Sequence, residues 1–365
     1  MPEPIKNFFS PQFINELAQN IQAAYKKFDT KGFEAFIQDQ TWDSLELKAR
    51  IRHITLALGK FLPQNYVQAI AIINVAIEAY GNWLDGFVLF FPDFVEVYGQ
   101  GEESWNTSMA ALEKYTVHAS AEFAVRPFII NHEERMMAQM RTWATSDNEH
   151  VRRLASEGCR PALPWGQALQ SFKKDPSPVL PILEMLKDDP AMYVRKSVAN
   201  NLNDISKTHP KLVADIAKKW YGHTENTNWV VKHACRSLLK KGDPAVLDIF
   251  GFGNASAVEI EDFALCSQTA AIGGDISFSF TVRCKVDTKL RLEYAVDYVK
   301  ANGKQNRKIF QISESEVRAG LIKPYVKKHS LANNSTRKHY VGKHAITLIA
   351  NGAACKTYYF ELMAT

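Results

Sequence analysis

A helical phrase recurs three times in the middle of the chain, as HVRRLASEGCRPALPW at 150–165, YVRKSVANNLNDIS at 193–206 and WVVKHACRSLLKKG at 229–242. Aligning Val151, Val194 and Val231 superposes Arg152, Arg195 and Lys232, then Arg153, Lys196 and His233, while Glu157, Asn200 and Ser237 share one register. The spacings are 43 and then 37 residues, the period of repeats in which helix pairs stack so that each buries its apolar face on the next. A chain with this repeat is constrained to a helical stack. Its polar insertions, acids and amides at positions where packing alone asks for neutral residues, mark a surface that does more than pack. A concave basic surface suits a polyanion, and an embedded acid suits chemistry.

The rest of the first 250 residues agrees. SLELKARIRHITLALGKFL and YVQAIAIINVAIEAYGNWL place apolar residues at three-and-four spacing. Pro63 and Asn65 separate them, Gly81 interrupts the second, and DNEH, DDPAM and TENTN precede the three phrases as helix starts. After Phe252 the period falls to two. Ile276, Phe278, Phe280, Val282, Cys284 and Val286 alternate with polar residues, and LRLEYAVDYVK, HAITLIANG and CKTYYFELMA continue the pattern across turns such as KANGKQN and SLANNSTRK. The expected architecture is an all-α solenoid of HEAT-like repeats over residues 1–252, followed over 253–365 by a small immunoglobulin-like β-sandwich with half-buried strands and no required disulfide.

Charge follows the same division. Residues 251–365 hold 16 Lys or Arg against 10 Asp or Glu, so about one net negative charge remains on the first 250 out of a whole-chain total of +5. A near-neutral helical body with a basic appendage fits nucleic acid bound on one side. With 46% hydrophobic residues the chain has ample core for two domains. The start MPEPIKNFFSPQF lacks a secretory pattern, and the most apolar stretch, residues 82–98, is broken by Asp85, Pro92, Asp93 and Glu96, so neither secretion nor a membrane span is expected.

Five scattered cysteines without CxxC or zinc spacing indicate a reducing cytoplasm and no structural metal, with Cys159 a small buried residue. No Walker loop, GxSxG, HExxH or HxE…PCxxC signature is present, and no cofactor is expected.

The set SAEFAVRPFI, RLASEGCRPALPW, RKSVANNLNDIS and WVVKHACRSLLKKGD resembles the AlkC family of bacterial DNA alkylation repair glycosylases, and the strand-rich tail is similar to their immunoglobulin-like variant. The resemblance covers essentially the whole chain and implies excision of cationic N3-alkylated bases, chiefly 3-methyladenine and 3-methylcytosine, from duplex DNA without full base flipping. It implies that Glu157, Glu122 and Asp204 line the site with Trp165, Glu157 being the principal carboxylate and Trp165 offering an aromatic face to a cationic base or sugar. No lysine in the matched motifs stands ready as a nucleophile, so the expected reaction is a monofunctional hydrolysis.

DNA contacts are expected from one member of each basic pair, Arg152/Arg153, Arg195/Lys196 and Lys232/His233, since adjacent helical residues diverge by about 100°. Arg160, Asn200 and Arg236 extend that set. In the sandwich, Lys323, Lys327 and Lys328 lie in a basic stretch from 300 to 343 opposed only by Glu314 and Glu316. The expected partner is double-stranded DNA bound by a cytoplasmic monomer, with no membrane and no obligate protein partner. The alternative is a noncatalytic DNA-binding or protein-scaffold module, in which these acids would be dispersed and the lysines would only blunt sheet edges.

Overall fold

The computed structural model describes residues 4–80, 88–253, 255–334 and 337–364. Gly81, the segment 81–87 and part of the SLANNSTRK turn lie outside the described residues. Among the described residues the α-helices end at Ile249 and the strands begin at Val258, the helical-then-strand order that the change of period predicts. The chain divides into two compact units, Met1–Thr208 with Gly222–Ala234, and His209–Tyr221 with Cys235–Thr365. None of the described helices is long and apolar enough to cross a membrane.

In the first unit the two apolar segments form helices Leu47–Phe61 and Tyr66–Ala76. The first phrase gives the helix Glu149–Glu157, the second Met192–Ile205, and the third begins in Glu225–Ala234. Their starts are built by the expected residues. Asn148 Oδ1 accepts from the His150 amide at 2.8 Å, Asp189 Oδ1 from Ala191 at 2.8 Å, and Thr224 Oγ1 from Thr227 at 3.0 Å, each satisfying a backbone donor that a helix start leaves open. RPALPW is not helical. Helix Glu149–Glu157 stops there because Pro161 and Pro164 cannot continue it. The third phrase also breaks, at Cys235, and resumes as Arg236–Lys241.

Helix Met192–Ile205 packs against both Glu149–Glu157 and Glu225–Ala234, and the contact explains the polar insertions. Ser156 Oγ donates to Ser197 Oγ at 2.6 Å, Asn201 Nδ2 to the Ser156 carbonyl at 2.8 Å, and Asn203 Nδ2 to the Ala234 carbonyl at 2.8 Å, all buried. Buried polar groups are tolerated because they find one another. They fix the register of the three helices more tightly than apolar contact would.

In the second unit, β1 (Val258–Leu265), β3 (Asp275–Cys284) and β6 (Ile322–Ser330) form one sheet in the order β1-β3-β6. The other runs β2-β8-β7-β4-β5, from β2 (Thr269–Ala271), β4 (Thr288–Val299), β5 (Gln305–Val317), β7 (Gly342–Ala350) and β8 (Ala353–Met363). β3 alternates as expected, burying Ile276, Phe278, Phe280, Val282 and Cys284. Val286 lies beyond its end and is exposed.

β4 differs from the half-buried expectation. Flanked by β5 and β7, it is buried on both faces, and its second face carries charges in pairs: Arg291 with Glu293 at 2.6 Å, and Asp297 gripped by Arg307 through two bonds of 2.8 and 2.7 Å. The helical segment before the sandwich belongs to this unit for a local reason. A Cβ on Gly242 would lie 2.7 Å from the Gly352 carbonyl oxygen, and Asn351 Nδ2 donates to the carbonyls of Gly253 and Lys289 at 2.9 and 3.1 Å.

Candidate active site

Three carboxylates far apart in sequence end in one continuous network within the first unit. Glu122 sits just before the helix Val125–Asn131, where Ser120 Oγ donates to its Oε2 at 2.7 Å. Arg153 reaches the same Oε2, donates to Ser120 Oγ at 2.7 Å, and stands 3.5 Å from Glu157 Oε1. Arg160 donates to Glu157 Oε1 at 2.6 Å and to Asp204 Oδ2 at 2.8 Å; Lys207 donates to Asp204 Oδ1 at 2.8 Å. Local geometry makes this possible. Arg153 and Glu157 are four residues apart on one helix and share a face, whereas Arg160 and Lys207 each lie in the turn just past a helix end, three residues after the acid they reach.

Glu157, Arg160 and Asp204 are buried, and Arg153 and Glu122 are half-buried. Burial works against the charge of Arg153 and Arg160, but the facing carboxylates outweigh it and hold both guanidinium pKa values above their usual value. Asp204 has both oxygens engaged by cations. Glu157 meets Arg153 and Arg160 most closely through Oε1, and Glu122 meets Ser120 and Arg153 through Oε2. These are the shortest contact of each pair. Three acids balanced by three cations form a neutral, pre-set group whose oxygens are already oriented.

Trp165 is 71% exposed and adopts φ 64°, a left-handed conformation that costs an L-residue roughly 1–2 kcal/mol. An exposed indole on a strained backbone is not packing two helices. It shares a cavity of about 440 Å³ with Glu122, Phe8, Phe123 and Lys48. Arg52 crosses the cavity wall to Asp93 and Glu96 at 2.8 and 2.6 Å. Cys159, two residues from Glu157, is fully buried, and burial pushes its thiol up to about 12. It is inert as a nucleophile.

The structure thus brings together Glu122, Glu157, Asp204, Arg153 and Arg160, with Trp165 beside Glu122. The remaining basic residues are distributed differently. Arg152 is turned to Asp189 in a two-pronged bond of 2.6 and 3.1 Å. Arg195 is buried and donates to the carbonyl of Pro190 at 2.8 Å and to that of Asp189. Lys196 and Lys232 are exposed, Asn200 and Arg236 half-buried, and His233 stacks on Trp229 at 5.0 Å.

In β6, Lys323 and Lys327 stand opposite Val282 and Phe278, and Lys328 opposite Ser277, so Lys328 faces the other side of the sheet. Lys328 also pairs with Asp275 at 2.7 Å.

Sequence reasoning missed Ser120, Arg126, Tyr193, Lys207 and Lys48. Ser120 and Arg126 lie inside SAEFAVRPFI and Lys207 stands three residues after Asp204, so nearness in sequence to a named acid was the available signal. Tyr193 places its ring 5.1 Å from the Arg153 guanidinium, and Lys48, over a hundred residues from Trp165 in sequence, gave no signal at all.

A family model described as DNA alkylation repair enzyme matches residues 107–238. One described as the C-terminal Ig-like domain of the uncharacterised protein YhaZ matches residues 259–364. The uncharacterized protein YhaZ of Bacillus subtilis strain 168 is 43% identical over 358 residues, which cover 98% of this chain and 99% of that protein. The solved structure of Pseudomonas fluorescens alkylpurine DNA glycosylase AlkC, bound to DNA containing an abasic site analog, matches with a TM-score of 0.94 at 35% identity over 99% of this chain and 100% of that one.

Proposed function

The chain belongs to the AlkC-type family of DNA alkylation repair enzymes with a C-terminal immunoglobulin-like domain, and from that premise we propose that it is a monofunctional DNA glycosylase. It hydrolyses the N-glycosidic bond of cationic alkylated bases, 3-methyladenine and 3-methylcytosine, in duplex DNA without full base flipping. The observation that carries the reading is the convergence of Glu122, Glu157 and Asp204 through Arg153 and Arg160. The likeness to a glycosylase bound to DNA with an abasic site analog supports it.

An N3-alkylated base leaves as a neutral molecule, so the enzyme has no need to protonate it. The barrier lies at the sugar. As the bond lengthens, positive charge grows on the deoxyribose, and a carboxylate that is already oriented stabilises that charge more than it stabilises the ground state. Glu157 and Glu122 are the carboxylates for this task or for orienting the water that attacks C1′. Asp204, with both oxygens engaged, anchors Arg160 and through it Glu157. Trp165 offers its face to the cationic base or sugar, a contact worth roughly 0.5–2 kcal/mol.

The exposed Lys196 and Lys232 are the phosphate contacts of the second and third phrases. In the first phrase both arginines point to carboxylates, so they organise the site. The protein acts as a cytoplasmic monomer, where its five cysteines stay free.

The test is release of 3-methyladenine and 3-methylcytosine from duplex DNA by the intact chain and by Glu157→Gln, with DNA binding measured for both. Release by the intact protein that disappears in the variant while binding persists supports the reading. No release by the intact protein overturns it in favour of a binding module.

A further inference from the structure

Trp165 lies in the connection between helices Glu149–Glu157 and Gln170–Lys174, where no helix ladder holds the backbone. Two cations from distant parts of the first unit take over that task. The Arg126 guanidinium, 1% exposed, donates through Nη1 to the Gly158 carbonyl and through Nη2 to the Arg160 carbonyl, both at 3.0 Å, and through Nε to the carbonyl of Gln167. Lys48 Nζ donates to the Trp165 carbonyl at 2.7 Å and sits 5.1 Å from the centroid of the Phe123 ring. Gly166 makes room for this grip, since a Cβ there would approach Arg126 Cδ and Nε to 3.3 Å.

Arg126 differs from the cations of the carboxylate network. Arg153 and Arg160 face carboxylates, whereas the contacts of Arg126 all end on carbonyls of one connection, and burial lowers its pKa to about 10. A buried charge is costly unless something requires it. Here it spans the turn from the Glu157 end of the helix to the residue two beyond Trp165. Lys48 holds the carbonyl of Trp165 itself, the residue whose left-handed backbone most needs holding.

We propose that Arg126 and Lys48 are positioning residues that hold Trp165 in its exposed conformation, so that the indole meets bound DNA already in place. This rests on the glycosylase reading only for its kinetic consequence. The immobilisation of Trp165 stands apart from it.

The experiment uses the full chain with Lys48→Met and Lys48→Arg, each with and without Trp165→Phe, so that Trp165 is read by difference from the other six of seven tryptophans. Lys48 is exposed, so its replacement leaves the fold intact. Nanosecond fluorescence anisotropy of Trp165 is expected to show wider local motion in Lys48→Met. The kcat for 3-methyladenine release is expected to fall about 5-fold, the scale of one hydrogen bond, with KM for DNA held within about twofold. Lys48→Arg restores both. Arg126→Lys, which keeps the charge but not the three-way contact, is expected to loosen Trp165 further, with circular dichroism reporting that the fold survives.

Unchanged Trp165 motion in Lys48→Met overturns the proposal. So does a rise in KM at constant kcat, which would make Lys48 a phosphate contact. If the intact protein releases no base, the glycosylase reading fails, and the anisotropy alone decides whether the two cations hold Trp165.

Discussion

Two sets of charges in this chain have opposite fates. Between Ser120 and Lys207, every cation of the network touches a named acid, and three acids from separate segments are joined through shared arginines. In β6, Lys323, Lys327 and Lys328 are much closer in sequence, yet the register sends Lys323 and Lys327 to one side and Lys328 to the other. The difference is periodicity. A helix returns to the same face after three or four residues, so Arg153 and Glu157 align, the turn that ends the helix brings Arg160 back to Glu157, and helices packed side by side can share one counterion. A strand reverses at each step, so neighbouring charges diverge. A cluster of like charges in sequence is thus weak evidence of a surface in a sheet, whereas mixed charge at helical spacing is good evidence of a site.

Breaking the shared counterion gives the largest expected effect. Arg160→Met leaves Glu157 and Asp204 buried without their common partner and is expected to lower stability by about 3–5 kcal/mol in urea denaturation. Lys207→Met removes an ammonium whose side chain is 54% exposed and is expected to cost under about 1 kcal/mol. Equal losses would show that the network is not held by its buried member.

Next comes Glu157→Gln, for which a loss of roughly 10²–10³ in kcat, the scale of removing one preorganised electrostatic contact, is expected with DNA affinity kept. A smaller loss than in Glu122→Gln would move the principal role to Glu122.

A third effect arises in the sandwich, where His329 is hydrogen-bonded by Tyr294 at 2.9 Å and Tyr298 at 2.7 Å. Burial first, then the nearby Arg337 and His339, lowers its pKa from 6.5 to about 4. The unfolded chain therefore binds the proton more readily. The contribution of neutral His329 is fully present above about pH 6.5 and is lost as pH falls toward 4, by roughly 3 kcal/mol. His329→Gln is expected to flatten that part of the stability–pH curve, and a curve as steep as the parent's would assign the dependence to other groups.

The smallest effect sharpens the comparison directly. Replacing Lys323 and Lys327 with Ala is expected to reduce the salt dependence of DNA binding by about 0.9 in the log–log slope per phosphate contact, whereas Lys328→Ala, already paired with Asp275, leaves it unchanged. Equal contributions from all three would mean that the strand's two faces are not distinguished.

Much of this was legible in the residues themselves. The 43- and 37-residue spacings and the switch to period two at Phe252 announce helices followed by strands, because hydrophobic periodicity is a local record of which face is buried. The side chains that bind backbone at the helix starts, Asn148, Asp189 and Thr224, were equally readable, since each acts within three residues. Other features were not. Nothing in the local period marks the break at Cys235, and the double burial of β4 depends on its place between β5 and β7.

The same division holds at the site. The sequence by itself determined the elements, the acids worth naming and, through their resemblance to a family, the chemistry to expect. Only the tertiary structure decided that Arg153 and Arg160 bind carboxylates, that Arg152 turns to Asp189, and that Lys48 and Arg126 hold the Trp165 connection. The reason is physical: helix and strand periods are set by short-range sterics, whereas the partner of a charge is chosen by which segments the folded chain brings within about 4 Å of it.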